Sequence, residues 1–137
     1  MPSTLNPYIS FRDNTREVME YYHSVFGGNL KMTTYKEFQA AQDPAEENKI
    51  MHAQLTGDSG ITIMASDTPN SMDYQAGSSI AMSLSGDDEA ELDAYFEKLS
   101  AGGTVIMPLA KAAWGDTFGM CIDRFGIRWL FNISARA

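Results

Sequence analysis

Cysteine is almost missing from this chain, with Cys121 the single thiol in 137 residues. That excludes an intrachain disulfide and a zinc site built on cysteines. Basic side chains are also few, 10 against 18 acidic ones, which leaves a formal net charge of −8. Nucleic acid and anionic membrane surfaces demand clustered Lys and Arg, so neither is an expected partner. No apolar run approaches the ~20 residues of a membrane-crossing helix. Residues 1–7 lack a basic region followed by an apolar stretch, so no secretory signal is visible and a cytoplasmic location is expected. Also missing are a Ser-His-Asp arrangement, a P-loop and a paired-carboxylate spacing.

Hydrophobic residues make up 44% of the chain, enough for one domain or for two small half-domains around a shared core. Leu5 to Phe11 reads as a strand. Asp13 or Asn14 offers an N-cap for a helix over 15–26, whose stripe is Val18, Tyr21, Tyr22, Val25 and Phe26. Gly27 and Gly28 stop that helix. A second strand is expected over 29–38, then a polar, acidic loop over 39–48, either a plain surface excursion or a lid. The hairpin 49–65 turns at the GDSG string of residues 57–60.

After a linker-like stretch at 67–77, rich in Asp, Pro, Asn, Ser and Gly, the order repeats. It gives a strand over 79–85, a helix over 87–101 striped by Leu92, Tyr95, Phe96 and Leu99, a Gly102-Gly103 stop, and a strand over 104–107. A hairpin follows, running from Phe118 to Ile133 with its turn at Asp123 to Gly126. The repeat implies an α+β fold of two βαβββ modules, about 4–66 and 78–134. They would form a curved mixed sheet with helices outside and a concave face within, where ligand sites gather.

Several side chains are candidates for chemistry. Alternation puts His52 on the strand face opposite Met51 and Ala53. There it would serve as a base, a ligand contact or part of an unusual metal site, or simply be a partly buried histidine bonded to a neighbour. Trp114, next to Gly115, would wall a pocket or plug one end of the concavity. Asp116 would contact a polar ligand or cap a turn. Phe118 takes the place of His52 in the second module, so a single polar group faces an otherwise apolar lining. Met64, Met82, Met107 and Met120 fall on strands and give an adaptable surface or plain core filling. His23 reads as a solvated helix residue, and Cys121 as an inert buried thiol.

Four strings, in order, carry a resemblance: PYISF at 7–11, YYHSVFGG at 21–28, MHAQL at 51–55, and MPL at 107–109 running through WGD at 114–116 to DRFG at 123–126. With the doubled βαβββ plan, they resemble the PhnB-like branch of the vicinal oxygen chelate superfamily, which holds glyoxalase I, extradiol dioxygenases and bleomycin-resistance proteins. The resemblance implies a histidine facing the cavity at His52. It also implies a divalent metal held by His, Gln or Glu on the first and last strands of each half, polarising substrate oxygens. Here those positions are Asn6 or Pro7, Met64, Ser79 or Ile80, and Leu130, with no imidazole or carboxylate among them. The final turn departs from the branch's Asp-Pro-Phe-Gly-His, with Arg124 for the proline and Ile127 for the histidine. Members are also labelled demethylubiquinone methyltransferases, yet no strand-linked glycine-rich nucleotide loop is present.

The expectation is therefore a small-molecule binder without the usual metal, using His52, Trp114, Asp116, Phe118 and Met64. A metal-dependent lyase, isomerase or dioxygenase with a relocated site through His52 is the alternative. A dimeric sequestering or resistance protein is another, since relatives commonly form homodimers and sheet edges permit it.

Overall fold

A computed structural model describes residues 3, 5–37, 39, 41 and 43–135. The chain divides into two compact units, residues 1–76 and 77–137. The first holds β1 (Tyr8–Phe11), α1 (Thr15–Phe26), β2 (Asn29–Thr34), β3 (Ile50–Thr56) and β4 (Thr62–Asp67). The second holds β5 (Met82–Gly86), α2 (Glu89–Ser100), β6 (Thr104–Lys111), β7 (Thr117–Ile122) and β8 (Arg128–Ile133). Each is a βαβββ module with its own four-stranded mixed sheet, in the orders β1-β4-β3-β2 and β5-β8-β7-β6. In both sheets the first strand runs parallel to the last, and the remaining pairs are antiparallel.

Each helix covers one face of its own sheet because its stripe is apolar. Val18, Met19, Tyr22, Val25 and Phe26 of α1 are buried, as are Ala53, Leu55, Ile63 and Ala65 on β3 and β4. In the second unit Leu92, Tyr95 and Leu99 are buried, with Cys121, Trp129, Phe131 and Ile133 on the strands. Phe96 meets Phe131 edge-on at 5.1 Å between centroids. Burying each such large side chain contributes about 1.5–3 kcal/mol. The two modules share a close approach after the helix. A Cβ on Gly28 would collide with the Thr56 carbonyl, and one on Gly103 with the Ile122 carbonyl. Thr56 and Ile122 close their respective β3 and β7 strands, so both modules seat the chain after the helix against the same strand end.

Several boundaries differ from the sequence reading. β1 starts at Tyr8 rather than Leu5: Pro7 has no N–H, so it adds only its carbonyl, which accepts from Met64 N at 3.1 Å. β2 ends at Thr34 instead of 38, because the Thr34 hydroxyl accepts from Glu37 N at 3.3 Å and starts a turn; residue 38 is outside the described residues. Neither Asp13 nor Asn14 caps α1. Asn14 stands at the cap position without a side-chain bond, Asp13 pairs with Lys49 at 2.7 Å, and the acceptor for Thr15 N is Asp67 Oδ1 at 3.0 Å.

The linker-like stretch 67–77, near whose end the two units divide, is tied to the first unit at its start. Asp67 closes β4 and is buried, Thr68 N donates to Phe11 O at 2.7 Å, and Arg12 donates to Met72 O at 2.7 Å. Within the 39–48 loop, residues 40 and 42 lie outside the described residues. Its later part forms a single 3-10 turn at Pro44–Glu46, and Glu46 accepts from Asn70 N at 2.9 Å.

β5 starts at Met82, not Ser79, since its partner β8 begins pairing only at Trp129. α2 spans Glu89–Ser100, with Asp88 capping it by accepting from Glu91 N at 3.1 Å. β6 continues past Pro108 to Lys111 because it is the outermost strand, where a missing N–H costs no ladder bond. Its pairing slips by a bulge between Met107 and Ala110. Among the described residues no helix is long and apolar enough to cross a membrane.

Candidate functional site

The face of each sheet turned away from its helix carries the candidate residues. In the first unit Ala53 and Leu55 of β3 point into the core, so His52 and Gln54 point to the open face. Three cross-strand pairs stand there in succession: Asn29 with Thr56, Lys31 with Gln54, and Thr33 with His52. Their side chains line a groove of about 300 Å³. The Thr33 hydroxyl donates to the His52 carbonyl at 3.3 Å. The His52 ring lies 5.8 Å from the Tyr8 ring at a tilt of 38°. Met64 is the cross-strand partner of both Gln54 and Tyr8, so it shares this face.

The second unit uses the same positions differently. Ala53 pairs with Ala65 and Gly119 with Phe131, which makes Phe118 the counterpart of His52. Around Phe118 stand Asn132, its direct partner, with Met120, Leu130 and Met107 alongside. Trp114, 63% exposed, meets Phe118 edge-on at 5.7 Å. Its indole N–H donates to Asn132 Oδ1 at 3.2 Å, and Asn132 Nδ2 donates to Asp116 Oδ2 at 2.9 Å. Ala135 N donates to the other carboxylate oxygen at 3.2 Å. The Asn132 amide, with Ala135 N–H behind it, holds the Asp116 carboxyl below its ordinary range. Asp116 thus uses both oxygens within the unit, and its effect is to hold Asn132 and, through it, the Trp114 ring.

The residues at the superfamily's metal positions do not form a ligand set. Met64 and Leu130 are on the open faces as expected. The first-strand residues across from them are Tyr8 and Ser83, whereas Asn6, Pro7, Ser79 and Ile80 precede β1 and β5. Thioether, alkyl, phenol and hydroxyl groups fit a hard divalent cation poorly. Among the described residues no three His, Cys, Asp or Glu side chains gather to hold one. The groove neighbours of His52 are amides, hydroxyls and an ammonium.

The other candidates are placed more plainly. His23 is on the exposed side of α1, its Nε2 2.9 Å from Gly28 O. Cys121 is fully buried, and burial, reinforced by Asp123, pushes its thiol up to about 11. Two residues of the site went unread in the sequence. Tyr8 was visible only as a strand former. Asn132 alternates with the core residues Phe131 and Ile133, a signal of an open-face position, but nothing in the sequence marks its hydrogen bonds.

Comparison with known proteins places this geometry in a family. The family model described as 3-demethylubiquinone-9 3-methyltransferase matches residues 3–131. The chain belongs to that family. Protein PA1353 from Pseudomonas aeruginosa is 37% identical, with 97% of this chain and 98% of that chain covered at a TM-score of 0.82. The PhnB protein from Bacillus cereus, whose description repeats the family's, is 23% identical over 96% and 100% of the two chains, with a TM-score of 0.76. A glyoxalase/bleomycin resistance protein/dioxygenase family enzyme from Burkholderia phytofirmans PsJN shares the fold at 14% identity, 93% and 95% coverage and a TM-score of 0.61. The two α+β modules of this chain thus have the fold of the PhnB and glyoxalase/bleomycin-resistance structures.

Proposed function

We propose that this protein binds a small organic molecule on the open faces of its sheets, without the divalent metal of the superfamily's enzymes. The observation that carries the reading is the groove beside His52, where an imidazole, an ammonium, two amides and two hydroxyls line about 300 Å³. Pockets with a few convergent polar groups beside aromatic surface suit small ligands. Tyr8 and Met64 supply that surface next to the groove, and Trp114 and Phe118 form a second aromatic face in the other unit. Taken unit by unit, the ligand contacts are His52 and Met64 on the first open face and Trp114 and Phe118 on the second, with Asp116 and Asn132 positioning Trp114.

The methyltransferase of the family's description is not carried over. A nucleotide-type cofactor is held where a glycine-rich turn leads from strand to helix. Here the β1–α1 link is Arg12 to Asn14 and the β5–α2 link is Asp87 and Asp88, with no glycine in either.

The test is elemental analysis of untagged protein purified without chelator, with His52→Ala in parallel and both screened against a metabolite library by thermal shift. Ligand binding lost in His52→Ala, with no stoichiometric metal in either protein, is the expected result. About one divalent metal per chain, lost in the variant, would make the protein a metalloenzyme with a relocated site.

A further inference from the structure

We propose that the groove beside His52 takes an organic anion, a carboxylate or phosphate group held by Lys31 with His52 and Gln54. This deepens the binding reading above and rests on it. The lining is Asn29, Lys31, Thr33, His52, Gln54 and Thr56. Every one of these side chains can donate a hydrogen bond and none is a carboxylate. That composition is at odds with the chain, which has 18 acidic residues to 10 basic ones. Two larger grooves show the contrast. The one at the start of α1 sets the carboxylates of Asp13, Glu17, Glu20 and Asp67 against Arg16 and Lys49, and the one at the start of α2 sets Asp87, Asp88, Glu89 and Asp93 against Lys111.

The register places the donors to converge. Lys31 and Gln54 are direct partners, one two-residue step along from Thr33 and His52. Same-face neighbours along a strand are ~7 Å apart, so an oxyanion seated at Lys31 lies within reach of the imidazole and the Gln54 amide. The ion pairs of Lys49 go to Asp13 and Glu46, and among the described residues no carboxylate lines the groove to pair with the Lys31 ammonium. Thr33 already gives its proton to the His52 carbonyl, which stiffens that pair and leaves the charge to Lys31 and the N–H groups. Hydrogen bonds from a cation to an oxyanion are the strong kind, and no carboxylate in the groove competes for them. The ligand's body would rest on Tyr8, whose ring meets that of His52, and on Met64.

The experiment is a titration of the full chain, followed through backbone amide chemical shifts at low salt, with benzoate, phenyl phosphate, benzamide and benzylamine as probes. Benzoate or phenyl phosphate should move the amides of Lys31, Thr33, His52 and Gln54, with benzamide and benzylamine weaker by about tenfold or more. The stronger of the two anions identifies which group the site takes. Lys31→Gln, a substitution at an exposed position, should weaken that anion about tenfold and leave benzamide unchanged. Benzamide or benzylamine binding as well as the anions, or Lys31→Gln without effect, would overturn the anion inference while leaving a binding site in place. No probe moving those amides would sink the groove as a site altogether.

Discussion

The Trp114 indole donates to Asn132 at 3.2 Å, and this bond fixes which end of the Asn132 amide faces Asp116. With the oxygen taken by the indole, the amide nitrogen is turned to the carboxylate, which it reaches at 2.9 Å. An exposed aromatic ring is thus held in one orientation by a chain of polar groups together with its edge contact on Phe118. A ring already ordered loses less freedom when a ligand settles on it. Replacing Asn132 with Ala should release Trp114 at a stability cost of about 1 kcal/mol. Steady-state anisotropy of tryptophan emission checks this, because it should fall while the urea midpoint moves little.

The same chain of contacts has an acid limit. The Asn132 amide and the Ala135 N–H hold the Asp116 carboxyl below the ordinary carboxylate range in the folded protein. A depressed folded value means that stability is present above the unfolded value and is lost as pH falls through the folded one. Urea midpoints of the native protein and Asp116→Asn should differ at about pH 5 and converge towards about pH 2. A constant gap across that range would show that ionisation of Asp116 is irrelevant.

Cys121 should be silent to thiol reagents in the folded state. It is fully buried, and its thiol is raised to about 11, so little thiolate exists at pH values where labelling is done. Labelling should therefore follow global unfolding, with a rate that rises with urea as the circular dichroism signal is lost. The raised value also has a stability sign: the contribution is full below the ordinary thiol value and is lost as pH rises through the folded one. Rapid stoichiometric labelling in buffer would contradict the burial.

Asp67 joins three elements of the first unit. Its two oxygens accept from Thr15 N at 3.0 Å and Ile50 N at 2.8 Å, which ties α1 and β3 to the end of β4. Asp67→Ala leaves two buried N–H groups unpaired and should cost about 2–4 kcal/mol by urea denaturation. Asp67→Asn keeps one acceptor and should cost about half as much. Equal costs for the two substitutions would mean that the charge, not the pair of acceptors, is what matters.

Local pattern made most of the fold legible, and long-range hydrogen bonding made up the rest. The limits of α1 followed from its stripe and from Gly27, which sits at φ 68. The turn at Asp123 to Gly126 followed from residue type, with Gly126 at φ 89 and Asp123 Oδ1 accepting from Phe125 N at 2.9 Å. The cap of α1 did not follow, because the acceptor comes from Asp67, 52 positions away. The end of β6 was hidden for a similar reason, since Pro108 reads as a break unless the strand is known to be outermost. At the candidate site, alternation placed His52 on an open face, and the repeat put Phe118 in the matching position. The roles of Asp116 and Asn132 depend on partners that no periodicity announces.

The parallel pairing of first and last strands bears on how each module assembles. β2, β3 and β4 in one unit, and β6, β7 and β8 in the other, meet through neighbours in sequence and can zip together early. β1 must instead wait for β4, pairing Tyr8 with Met64, and β5 for β8, pairing Ser83 with Leu130. Each closure carries the entropy of a long loop. On a growing polypeptide the opening strand of each module therefore stays unpaired until the whole module has been synthesised. Tyr8 therefore meets the His52 ring only once β4 has docked β1 alongside, and the open face of the first unit matures at that final step.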